Sequence, residues 1–211
     1  MFQSIDGLQL TFLLGSLIIA MSLHEAMHAF TGHWLGDDTA KHEGRLTLNP
    51  LKHIDTFTTV LLPIVMILAG LPPIFAAKPV PFNPNLVRYE EFGAALIAVA
   101  GPLTNLALAC VGGLVFRSGL VTSNNLSDIV VIFTLTNVSL FTFNMIPVPP
   151  LDGSRLLYAF APEPLQRVMQ TIEQFGLVTI FIIVFVLWQF IGPIIINLNQ
   201  SILFFLLGIS G

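Results

Sequence analysis

The chain has 211 residues, 55% of them hydrophobic and 9% charged, with a net charge of −4 and a mean hydropathy of +0.85. Soluble domains carry about 25% charged residues, so the expected solvent is lipid more than water. The small net charge without a basic stripe argues against nucleic acid as a partner. The single cysteine, Cys110, excludes an internal disulfide and a cysteine-rich metal site.

The charges are segregated along the chain. No Asp, Glu, Lys or Arg occurs in 56–77, 92–116, 129–151 or 174–211, and 7–36 contains one, Glu25. A helix of about 20 apolar residues crosses the hydrocarbon core, so the chain reads as an all-α polytopic membrane protein with about five to six transmembrane helices. Residues 1–211 form one domain, with a core over 8–155 and C-terminal membrane helices over 174–209. Residues 1–10 contain Asp6 and no Lys or Arg, unlike a cleaved signal peptide, so the first apolar segment (8–35) is expected to remain. A polar loop, GDDTAKHEGRLTLNPLKHID, leads to the second segment (56–77). A connector, KPVPFNPNLVRYEE, follows; its prolines block regular helix and favour short extended pieces. The third segment (92–116) and the fourth (129–150) are joined by a Ser/Asn loop. DGSRLLYAFAPEPLQRVMQTIE is partly amphipathic and is expected at the membrane interface. In the tail, Gly192-Pro193 is expected to separate one membrane segment (174–191) from another (193–209).

The first segment carries His24-Glu25-Ala26-Met27-His28, an HExxH motif. Residues four apart share a helical face, so both imidazoles can reach one metal, and neutral imidazole suits zinc. Glu25 would lie beside the ion and take a proton from its bound water. A chance match with Glu25 in a structural ion pair is the plain alternative. A carboxylate inside a spanning segment is costly and usually functional, which favours the metal.

A catalytic zinc site usually has three protein ligands and an open position. His33 is five residues after His28 and points away from it; it reads as an interfacial histidine. His42, Glu43 and His53 lie in the polar loop, where they can be ordinary solvated residues. Asp55 beside His53 is expected to cap a helix. Asp152 is the better third ligand. It closes Asn144-Met-Ile-Pro-Val-Pro-Pro-Leu-Asp152-Gly153, whose prolines end the fourth segment in irregular backbone. At membrane depth such backbone is tolerated only when buried in protein or lining a wet cavity. The alternative is a helix-terminating turn with an exposed Asp.

HEAMH, GRLTLNPLKHID, GPLTN at 101–105 and NMIPVPPLDG together resemble the site-2 protease family of intramembrane zinc metalloproteases, in its small prokaryotic branch without an inserted PDZ domain. The resemblance covers about residues 20–155. It implies one Zn²⁺ per chain bound by His24, His28 and Asp152, with Glu25 as catalytic base. It also implies that the substrates are transmembrane segments of other proteins in the same bilayer. Asn105 and Asn144 are polar side chains in apolar surroundings. They are candidates for substrate or oxyanion contacts, with helix-to-helix hydrogen bonding as the alternative for each.

Ligands of one metal must lie at one depth. If all segments spanned, Asp152 would emerge opposite the loop after the HExxH, and the eight Lys and Arg would divide evenly. If 56–77 is re-entrant, Asp152 returns to the correct side and only Arg117 lies opposite the other positive charges. The positive-inside rule then makes that side cytoplasmic, in a cell (inner) membrane, with the active site nearer the cytoplasm. Two rival functions remain. A transporter would need further intramembrane ionisable sites or repeated halves. An inactive client-binding relative would be expected to have lost a ligand or the base.

Overall fold

The computed structural model describes residues 7–68 and 77–208. Among them, four helices are long and apolar enough to cross a membrane: Gly7–Trp34, Glu90–Arg117, Asn124–Asn144 and Val178–Leu207. The chain is a polytopic α-helical membrane protein. Its helices in order are α1 (Gly7–Trp34), α2 (Thr39–His42), α3 (Leu62–Leu68), α4 (Glu90–Arg117), α5 (Asn124–Asn144), α6 (Gly153–Phe160), α7 (Glu163–Glu173), α8 (Leu177–Ile182) and α9 (Trp188–Leu207).

The seam between α1 and α4 is lined largely by small and polar residues. On α1, Ser16, Ala20, His24, His28 and Gly32 are all buried and recur every four residues, so they form one ridge. This stripe faces α4, whose buried residues include Ala94, Ala98, Gly101, Asn105 and Ala109. Small side chains let membrane helices approach closely enough for dispersion and hydrogen bonding to hold them. Leu114, Phe190 and Phe205 lie outside, each at least two-thirds exposed. Farther along α4, a Cβ on Gly112 would fall 2.3 Å from Thr134 Oγ1 of α5. One on Gly113 would fall 3.0 Å from Leu206 of α9.

The ends of the helices sort into two groups. At one end lie the C-terminus of α1, the connector before α4, the C-terminus of α5 and the α6–α7 hairpin. Arg88 N–H donates to Leu35 O across 2.9 Å, and Phe92 packs edge-on to Phe160. At the other end, Arg117 donates to Phe205 O across 2.6 Å, joining the C-termini of α4 and α9.

The second apolar segment leaves and returns at one place. Asp55 starts it by accepting from Phe57 N–H and Thr58 N–H, the expected capping role, and a π-helical turn (Thr56–Leu61) runs into α3. Lys78 N–H then donates to His53 O across 2.9 Å, so the entry and exit of the segment meet. Entry and exit at one place is what the expected re-entrant arrangement requires. Residues 69–76, including Gly70, Pro72 and Pro73 of the expected bend, lie outside the described residues. Residues 77–83 are extended as their prolines require, and form no strand ladder.

The tail differs from expectation. Pro193 sits inside α9, and 178–207 is one candidate span rather than two. A proline removes one helical hydrogen bond, but in lipid the alternative is a wholly unsatisfied backbone, so the helix continues. Gly192 leaves room for the Trp188 ring, which a Cβ would meet at 2.8 Å.

Candidate metal centre

His24 and His28 occupy successive turns of α1, both buried, with ring centroids 4.6 Å apart and planes at 84°. Asp152 reaches them from the turn between α5 and α6. That turn is anchored beneath by Ile146, Leu151 and Ile183 in one apolar cluster. Gly153 lets it fold back onto α5, since a Cβ there would lie 2.4 Å from Met145 O. Asp152 Oδ2 thereby sits 3.0 Å from His24 Nε2 and 3.5 Å from His28 Nε2.

The other ring nitrogens are already engaged. His24 Nδ1 is 2.6 Å from Asn105 Oδ1, and His28 Nδ1 is 2.7 Å from the Ile97 carbonyl. The amide nitrogen of Asn105 is 3.2 Å from Ala20 O and 3.0 Å from Asn137 Oδ1, to both of which it donates, so its oxygen is the atom facing His24. Both Nδ1 atoms therefore carry the proton, and both Nε2 atoms present lone pairs. Two lone pairs and a carboxylate oxygen then face one point. Such a set is favourable with a cation among the three atoms, a shared proton or a metal ion. Tetrahedral ligands at zinc distances are about 3.4 Å apart, close to the separations here. Gly101 completes the cradle: a Cβ would lie 2.4 Å from His28 Nε2 and 2.7 Å from His24 Nε2. The donor set, its second-layer hydrogen bonds and the space all fit Zn²⁺.

Glu25 borders the same point. One of its carboxylate oxygens and one nitrogen of each histidine lie within 4.8 Å of one another. Its Oε2 accepts from Val80 N–H at 3.0 Å, so the extended connector runs beside the centre.

The remaining candidates are placed elsewhere. His33 pairs with Asp38 on the exposed side of α1. His42 and Glu43 are exposed. His53 is not the solvated residue expected: it is buried, and its Nε2 donates to Thr47 O at 2.8 Å, bracing the loop. Asn105 makes interhelical hydrogen bonds through its oxygen and both of its N–H donors. Asn144 donates to Leu140 O one turn back. Asn137, fully buried and bonded to Asn105, was missed. It meets the criterion that singled out the other two asparagines, a polar side chain in apolar surroundings.

The comparisons with known proteins bear on this centre. The model of peptidase family M50 matches residues 115–187, which include the turn carrying Asp152. The chain is 36% identical over 183 residues to the Bacillus subtilis (strain 168) protein named "Putative zinc metalloprotease YwhC", covering 83% of this chain and 80% of that one. It is 29% identical to "Putative zinc metalloprotease Rip2" of Mycolicibacterium smegmatis (81% of this chain, 63% of that one). It is 26% identical to the protein of the same name from Mycobacterium tuberculosis strain H37Rv (92% and 72%). No solved structure matches the chain. A relative of that identity and coverage, with the family model running through the Asp152 turn, shows that the chain belongs to peptidase family M50, the site-2 proteases, zinc-dependent proteases of the membrane.

Proposed function

We propose that the protein is an intramembrane endopeptidase that holds zinc with His24, His28 and Asp152, uses Glu25 as its general base, and cuts client proteins in or near their transmembrane segments. One observation carries this reading most. Both Nε2 lone pairs and the Asp152 oxygen converge while Asn105 and the Ile97 carbonyl hold each Nδ1 proton.

When bound, zinc lowers the pKa of a water to about 7 and polarises a carbonyl, which makes hydrolysis possible at neutral pH. The protein's residues do the rest. Glu25, one residue from His24 on the same helix, accepts the proton of the attacking water and hands it to the leaving amine. Asn105 and the Ile97 carbonyl fix the two rings. A helical client hides its peptide bonds and must unwind to be cut. Charge supports a sidedness. Seven of the eight Lys and Arg lie in loops, short helices and helix ends on the α1 C-terminal side, and only Arg117 lies opposite. The positive-inside rule makes that end cytoplasmic, with the protein in the cell membrane.

The test is metal content and cleavage in detergent. The wild type should hold about one zinc per chain. His28→Ala and Asp152→Ala should lose it. Glu25→Gln should keep zinc and lose cleavage of a single-span reporter by at least about a hundredfold. A wild type without metal, or full zinc in Asp152→Ala, would refute the ligand set. A Glu25→Gln protein that still cleaves would refute the base.

A further inference from the structure

The extended connector is held at several points. Lys78 N–H donates to His53 O at 2.9 Å, Val80 N–H to Glu25 Oε2 at 3.0 Å, and Asn83 N–H to Asp37 Oδ2 at 2.6 Å. Pro79 and Pro81 have no N–H, so Val80 carries the lone backbone donor between them. No ladder fixes that donor, so its position comes from the anchors on either side of it, Asn83 on Asp37 after it and Lys78 and Pro79 before it.

Lys78 and Pro79 are gripped by Arg45. Its Nη2 donates to Lys78 O at 3.0 Å and to Pro79 O at 3.2 Å. The side chain is 3% exposed, and no carboxylate pairs with it among the described residues. A buried guanidinium without a counter-ion is costly, and its charge-assisted bonds to carbonyls are stronger than neutral ones. Arg45 is itself fixed, its N–H on Ala40 O at 2.8 Å and its carbonyl accepting from Thr47 N–H at 2.9 Å. One line of contacts thus runs from the polar loop through the guanidinium and two peptide units to Glu25.

We propose that Arg45 is a positioning residue for Glu25: its guanidinium holds the Lys78 and Pro79 carbonyls so that Val80 N–H meets the Glu25 carboxylate beside the metal centre. The inference rests on the reading of Glu25 as the base. Arginine is needed because one planar group spans two neighbouring carbonyls, which a lysine ammonium does less well.

The experiment is a double-mutant cycle on the full-length protein in detergent, with kcat, KM and zinc content measured for each variant. Arg45→Gln should lower kcat about a hundredfold through misplacement of the base, with KM and zinc unchanged. Arg45→Lys should recover part of the loss. Val80→Pro, which deletes the donated hydrogen, should cause a similar loss, and the double variant should be no slower than the slower single. Hydrogen exchange across 77–88 should quicken in Arg45→Gln while α1 keeps its protection. Wild-type kcat in Arg45→Gln would overturn the inference, as would losses that multiply in the double variant. If Arg45→Gln did not fold, Arg45→Lys replaces it in the cycle, and multiplying losses there overturn it equally. Glu25→Gln separates the two readings. If that variant cleaves, the base assignment fails; if it is inactive while Arg45→Gln is fully active, only the positioning role fails.

Discussion

His24 and His28 owe their shared face to four-residue spacing, but their tautomers are set by partners 81 and 69 residues away. Asn105→Ala would remove the acceptor from His24 Nδ1 and free the ring to turn. Zinc affinity should fall about 10- to 100-fold, the usual cost of losing such a second-layer partner, with the fold kept; competition with a chromophoric chelator measures it. Gly101→Ala should be harsher. A methyl would occupy the space at both Nε2 atoms, so the folded protein should contain no zinc by elemental analysis. The HExxH residues were legible in sequence because zinc chemistry restricts residue type and spacing. The bond from Asn105 to Asn137 and the buried state of His53 were not, since each depends on a neighbour that only folding supplies.

At the scale of elements, the closed entry of the second segment has two consequences. In a Cys110→Ala background, Leu51→Cys and Lys78→Cys should react with an impermeant maleimide from one side of the membrane. Leu120→Cys, beyond α4, should react from the other. Labelling of positions 51 and 78 from opposite sides would refute the re-entrant path. The second consequence concerns pH. Thr58 N–H, with Phe57 N–H, holds the Asp55 carboxyl below its ordinary range. A group whose folded pKa is depressed adds stability above its unfolded value, about pH 4, and loses it as pH falls through the folded value. The wild type should therefore lose thermal stability in acid relative to Asp55→Ala, with the two melting curves converging there. Asp55→Ala should melt lower than wild type at neutral pH.

At the scale of the molecule, the two ends of the bundle do different work. The α1 C-terminal end carries the metal centre, the connector and the α6–α7 hairpin; the other end closes α4 on α9 through Gly113, Leu206 and Arg117. Gly113→Val should push α9 outward. Overpacking of this kind costs about 1–3 kcal/mol, so the melting temperature should drop while zinc stays at wild-type content. Loss of zinc in that variant would mean that the two ends are coupled.

By itself the sequence determined what each segment is made of: the charge-free runs, the HExxH spacing and the prolines that end α5 before Asp152. These are local properties, governed by hydropathy, helical period and the missing proline N–H. It misjudged the tail, because whether Gly192-Pro193 breaks a helix depends on what else can satisfy the backbone in lipid. The tertiary structure alone decided that His53 meets Lys78, that Asn105 is spent on His24, and that Arg45 reaches the connector beside Glu25. Those contacts join residues tens of positions apart, and a buried polar group takes whichever partner the packed helices bring within hydrogen-bond reach.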